Sequence, residues 1–181
     1  TTWYGGEHTG FAVYTKKLNN PIVYSFGVGT DISFDNELIK NHNAKVFAFD
    51  PTPGSIKWLE TQNISENFVF SPVGISDKDG VEQFFLPEDG NCVSASTVVR
   101  NGLKRTPIDV PMKRLATLLQ ENNHTSIDIL KIDIEGSEFS VVPDILKSNL
   151  NIDQLCLEVH DRFFDNGKQM LKEMLDTAPE M

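Results

Sequence analysis

A chain of 181 residues suffices for one domain that buries roughly 70% of the surface its unfolded form exposes. Its composition, 39% hydrophobic and 23% charged, is that of an ordinary globular protein, and 16 basic against 26 acidic side chains give a formal charge of −10. That acid excess argues against a nucleic-acid backbone or an anionic membrane surface as the main partner, and there is no apolar run long enough to span a bilayer.

The segment Trp3 to Leu18 is aromatic and Gly-rich and is expected to pack over the sheet edge or a ligand mouth, as an N-terminal extension over residues 1–20. It lacks the basic and apolar regions of a signal peptide, which with the sparse cysteine content favours a cytoplasmic setting. From Ile22 the pattern is strand, then helix, repeated. Ile22–Phe26 reads as the first strand after Pro21, and Ser33–Lys40 as a helix with Phe34, Leu38 and Ile39 on one side. Lys45–Phe49 is the second strand, Pro53–Gln62 a helix with Pro in its first turn, and Phe68–Val73 the third strand. Gly74–Gly80 reads as a turn and Glu82–Leu86 as an added strand in a hairpin with the third. Residues 87–107 are polar and irregular, which suggests a loop or lid. Ile108–Val110 is a short strand, Arg114–Glu121 a helix, and Ile127–Ile132 the fourth main strand. Ser137–Leu146 is a helix interrupted or bent near Pro143, Gln154–Val159 the fifth strand, and Asn166–Leu175 a last helix. These units predict a single α/β domain over residues 1–181, a doubly wound and mostly parallel sheet with helices on both faces. Cys156, in the apolar run Leu155–Leu157, reads as a buried free thiol, and Cys92 sits in the polar loop.

Three places can carry chemistry. The first strand ends in Gly27 and Gly29, which let a ligand approach the backbone, and the second ends in Asp50, 21 residues beyond Gly29. An acid at that distance can accept hydrogen bonds from both hydroxyls of a ribose, or it can cap the helix that follows. The third position of a G-x-G-x-x-G dinucleotide fingerprint is Ile32, which weighs against a pyrophosphate at that turn. A cofactor with a ribose and no phosphate, such as S-adenosylmethionine, does not need the third glycine. A nicotinamide-dependent oxidoreductase and a non-catalytic binding module are the competing readings.

The second place is Leu130–Glu138, where a strand ends at Asp133 and Gly136 opens a helix. Favourable charge at a helix N-terminus accounts for Glu138 but less well for Asp133, which a strand end points into the ligand crevice. The third is Leu157-Glu158-Val159-His160, where alternation places Glu158 and His160 on one side. His160 could act as a general base. Alternatively Asp133, Glu158 and His160 could ligate a divalent metal. The residues leave both open, and a metal is not required.

These residues resemble the FkbM-like S-adenosylmethionine-dependent methyltransferases. The similarity lies chiefly in Ile127–Glu138, with support from Val110–Leu115, Val73–Gly80 and Leu157–His160, and it covers residues 22 to 160. It implies a Rossmann-like class I methyltransferase fold and S-adenosylmethionine as cofactor. Asp50, with Pro51 beside it, would hold the ribose. Gly27 and Gly29 would lie under the methionine and ribose, and Ile75, Ser76 and Asp77 would contact adenine. Asp133 would border both cofactor and acceptor, and Asp133, Glu135 or His160 would serve the acceptor, a sugar or small-molecule hydroxyl. Members carry an acid just before the first glycine; here Tyr24-Ser25-Phe26 stand there, and Asp31 is the candidate to substitute. The class I sheet ends in an antiparallel strand pair for which too few residues follow Leu175. An uncovered fifth strand would be prone to aggregation, so further chain or a partner, such as a second copy, is expected along it.

Overall fold

The computed structural model describes residues 1–87 and 105–177. In chain order the strands and helices are β1 (Thr2–Tyr4), β2 (Phe11–Val13), β3 (Ile22–Phe26), α1 (Ser33–His42), β4 (Lys45–Phe49), α2 (Pro53–Leu59), β5 (Phe68–Ser71), β6 (Gly74–Ile75), β7 (Gly80–Pro87), β8 (Arg105–Lys113), α3 (Leu115–Glu121), β9 (Ser126–Ile127), β10 (Ile129–Ile132), α4 (Glu138–Lys147), β11 (Asn151–Ile152), β12 (Leu155–Leu157) and α5 (Gly167–Asp176). No helix among the described residues is long and apolar enough to cross a membrane.

The centre is a five-stranded sheet in the order β12-β10-β3-β4-β5, with every pairing parallel. Strands buried on both faces read as continuous apolar runs, which is why these segments stand out in the sequence. Alternate residues feed two clusters. Val23, Val46, Ala48 and Ile129 pack with Phe34 and Leu38 of α1 and Leu59 of α2. Tyr24, Phe26, Phe49, Leu130 and Ile132 pack with Leu115 and Leu118 of α3, Val141 and Val142 of α4, and Met174 of α5.

The register decides where chemistry can sit. Phe26 pairs with both Phe49 and Ile132, and Ile132 pairs with Leu157. Four strands therefore end on one level. The residues that follow them, Gly27, Asp50, Asp133 and Glu158, emerge side by side along the carboxyl edge, where open parallel sheets bind ligands.

The N-terminal segment meets the cavity through Thr9 and the edge strand β12 through β2, as expected, while other expectations need correcting. The N-terminal segment is an antiparallel hairpin, β1 with β2, whose Tyr4 and Val13 join the first cluster. Its loop is tied to α1, with the Gly5 N–H donating to Glu37 Oε2 at 2.9 Å and the Gly6 N–H to Ser33 Oγ at 3.0 Å. Strand β7 does not pair with the third main strand. It pairs antiparallel with β8, which runs nine residues instead of three and also takes β6 alongside in parallel. Gly74–Ile75 is thus a strand, not part of a turn. Helix α4 runs through Pro143 without interruption. Leu155–Leu157 is shorter than expected, so strand alternation does not reach His160. Cys156 is a buried free thiol, pushed up to about 11 by that burial. Most of the loop expected over 87–107, with Cys92, lies outside the described residues.

Candidate functional site

The carboxyl edge holds a cavity of about 230 Å³, lined among others by Gly27, Gly29, Asp31, Asp50, Pro51, Ile75, Asp133 and Glu135. This is somewhat below the ~300–1,000 Å³ usual for small-molecule sites. Its lining combines the apolar side chains of Pro51, Ile75, Phe84 and Met112 with the acidic ones of Asp31, Asp50, Asp133 and Glu135.

The two glycines have different physical reasons to be there. Gly27 has φ +75°, and a Cβ built on it would stand 1.6 Å from the Asp133 carbonyl oxygen. Its lack of a side chain lets two strand exits touch. Gly29 has φ +57°, and a Cβ there would meet nothing within 4 Å. Only Gly29 leaves backbone bare toward open space. Its N–H donates to Asp50 Oδ2 at 2.9 Å.

Asp50 is 4% exposed and serves its own chain heavily. Oδ1 accepts from the Thr52 N–H at 2.9 Å and the Thr52 hydroxyl at 2.6 Å, while Oδ2 accepts from Gly29. A carboxylate offers about four acceptor directions. Three are used, so in this arrangement Asp50 has room for one ligand hydroxyl, not the two expected from the sequence. The helix-entry role is also realised, since α2 begins at Pro53, directly after Thr52.

Asp31 lies at the rim. Its Oδ2 accepts from the Thr9 hydroxyl at 2.5 Å and its Oδ1 from the Ser33 N–H at 2.8 Å. Partial burial pushes this carboxyl up, but those bonds outweigh it and hold it below its ordinary range. Phe26 lines the cavity, whereas Tyr24 joins the second cluster, its hydroxyl 2.8 Å from His124 Nδ1. Ser76 and Asp77 do not line the cavity. The Ser76 hydroxyl donates to Glu82 Oε1 at 2.7 Å, and Asp77 is exposed.

The sequence reading passed over Lys131, a single ammonium in the apolar strand β10. It is 5% exposed and donates to the carbonyls of Phe26 at 3.3 Å and Gly27 at 3.1 Å, fixing the loop that floors the cavity. Its signal was a charge within an all-apolar strand. Thr9, Phe84 and Met112 had no comparable signal, because distant pairings bring them in.

Beneath Lys131 lies Asp35, 1% exposed, with Asp35 Oδ1 and Ser25 Oγ both buried and lacking a hydrogen bond of good geometry. Burial pushes the Asp35 carboxyl up to about 6, against the pull of the Lys131 ammonium. The folded chain therefore holds this proton more tightly than the unfolded chain, so this group's contribution to stability falls as pH rises from about 4 to 6. A shift of this size corresponds to about 3 kcal/mol at neutral pH. Asp35→Asn is expected to gain on the wild type across that window, with the gap levelling off above pH 7. Urea midpoints of both proteins at pH 4.5, 6 and 7.5 measure it, and a constant gap would refute it.

The third group of residues meets at the end of β10. Glu135 and Gly136 have φ +54° and +108°, a left-handed pair that turns the chain sharply before α4. That turn aims the Ile134 and Gly136 N–H groups at Glu138, which accepts them at 3.1 and 3.0 Å and is fully buried. Glu138 Oε1 also stands 2.8 Å from His160 Nδ1. His160 is 2% exposed, and its Nε2 lies 3.6 Å from Glu158, 3.8 Å from Asp133 and 4.0 Å from Glu135. Burial works against the charged imidazole, but the Glu138 hydrogen bond and the surrounding carboxylates dominate and raise its pKa. Burial likewise pushes Glu138 up, and the His160 contact reverses this to leave it lowered. Asp133 is raised, mainly by burial. The structure thus gathers Asp133, Glu135, Glu158 and His160 as anticipated, although the turn after β12 does so rather than strand alternation. His160 does not line the cavity but stands behind the carboxylates that do.

A parallel α/β sheet with an acidic and apolar cavity at its carboxyl edge has that cavity where open sheets of this class bind ligands. The chain belongs to the FkbM methyltransferase domain family, which matches residues 12–181. It is similar to human "Probable methyltransferase-like protein 24", 26% identical over 140 residues, which is 76% of this chain and 32% of the relative. The rat protein of the same name matches with the same identity and coverage. The chain thus spans about a third of the length of these curated relatives. No solved structure matches it.

Proposed function

We propose that the protein is an S-adenosylmethionine-dependent methyltransferase that acts on a hydroxyl of a sugar or other small molecule. The observation that carries this reading is the shared level of four strand ends, which brings Gly29, Asp50 and Asp133 to one cavity that apolar side chains also line. The residues fit the cofactor. A Cβ at Gly29 would project into free space, so a ligand can lie against that backbone. Pro51, Ile75, Phe84 and Met112 suit a flat base, and the remaining acceptor direction of Asp50 suits a ribose hydroxyl. Asp31 is the acid available for an ammonium group at the rim. The two side-chain clusters fed by alternate strand residues support a doubly wound sheet around this site.

S-adenosylmethionine supplies a methyl group on a positively charged sulfur, so the protein has mainly to align partners and exclude water. Asp133 and Glu135 border the cavity and would orient the acceptor hydroxyl and receive its proton. His160 would hold these carboxylates in place from behind. The net charge of −10 fits a small, uncharged or cationic acceptor better than a polyanion. The test is methyl incorporation from labelled cofactor across a panel of glycosides and small polyols. Turnover of at least one hydroxylated acceptor is expected. Cofactor binding without incorporation into any of them would favour a binding module instead.

A further inference from the structure

We infer that Asp133, Glu158 and His160 form a divalent-cation site beside the cavity. One ligand atom from each lies within 4.8 Å of the others. An acidic cluster alone would be weak ground, but His160 makes this one specific. Glu138 is already accepting two backbone N–H groups when it meets His160 Nδ1, so it acts as an acceptor there. Nδ1 must therefore carry the hydrogen. In the neutral ring this leaves the Nε2 lone pair beside Glu158 and Asp133, with no acceptor among the described residues closer than 3.6 Å. A buried imidazole oriented by a carboxylate behind it, its other nitrogen facing two further carboxylates, is the arrangement that prepares histidine to bind a metal. Donors about 2.1 Å from a shared ion and at right angles stand roughly 3 Å apart, so side-chain shifts of about 1 Å or less would close the set around an ion.

One imidazole with two carboxylates, and Glu135 4.0 Å from the same nitrogen, suits Mn²⁺ and, less well, Mg²⁺. Three protein ligands leave coordination positions open. Asp133 also borders the cavity, so those positions would take oxygen atoms of a bound molecule. Resting on the methyltransferase reading, this favours an acceptor with two adjacent oxygen donors, such as neighbouring sugar hydroxyls. An ion there would lower the pKa of a bound hydroxyl.

The experiment is Mn²⁺ titration of chelator-treated protein, followed by the loss of the free-ion electron paramagnetic resonance signal, without cofactor. One ion per chain is expected. Glu158→Gln, at a half-buried position, should weaken uptake at least about tenfold, and Glu138→Gln about 10- to 100-fold. The distant exposed change Glu173→Gln should leave uptake as in the wild type. No uptake by the wild type, or equal uptake by Glu158→Gln, would overturn the site. Because the readout needs no S-adenosylmethionine, a failure of metal binding is separate from a failure of cofactor binding.

Discussion

Gly27→Ala is expected to cost more than about 4 kcal/mol of folding stability and to leave little folded protein at ambient temperature. The added methyl group would fall 1.6 Å from the Asp133 carbonyl oxygen, and no side-chain rotation can relieve a clash with main chain. The positive φ adds to it. Gly29→Ala, two residues on, has a similar positive φ but open space, so only the left-handed conformation is penalised, at about 1–2 kcal/mol. Equilibrium urea unfolding of the two variants provides the comparison. Similar losses would mean that the contact between the exits of β3 and β10 is not as close as described. Gly29→Ala also puts a methyl group where a ligand would rest, so its binding loss should exceed its folding loss.

Asp50→Ala is expected to abolish the response to cofactor. A ligand at 100 times its dissociation constant adds about 2.7 kcal/mol to the native state. S-adenosylmethionine or its demethylated product should therefore raise the wild-type melting temperature, and NAD should not. Removing Asp50 also strips acceptors from Gly29 and Thr52, so the ligand-free variant should lose about 1–3 kcal/mol. Asp50→Asn keeps one oxygen acceptor and is the milder companion. If Asp50→Ala responds to S-adenosylmethionine as the wild type does, Asp50 is a structural residue and the ribose assignment is wrong.

The central strands were legible because burial on both faces makes them plain apolar runs: β3 and β4 have the bounds expected from sequence, and β10 matches at its end. Strand β8 was legible only over Ile108–Val110, because Pro107 and Pro111 argue against a strand interior. The structure shows why they are allowed. Among the described residues, strand β6 covers only Met112 and Lys113, so that edge of β8 is unpaired along most of its length. Likewise Thr2–Tyr4 and Phe11–Val13 are too short to show a period, and their cross-strand partners and α1 sustain them. Within the site, reading strand ends found Gly27, Gly29, Asp50 and Asp133 on the cavity wall, and the family resemblance added Asp31, Pro51, Ile75 and Glu135. It misplaced Ser76 and Asp77, since the chain turns away toward Glu82 directly after β6. It undervalued Glu138, which resembled a helix-end charge and is also the partner of His160.

Glu138 joins the left-handed turn after β10 to a histidine that follows β12. Without Glu138 the buried His160 Nδ1 would lose its partner, and without His160 the buried Glu138 would keep only its two backbone N–H donors. The exits of β10 and β12 are thus one hydrogen-bonded unit, so a change at His160 is expected to disturb the turn that sets Glu135 on the cavity wall.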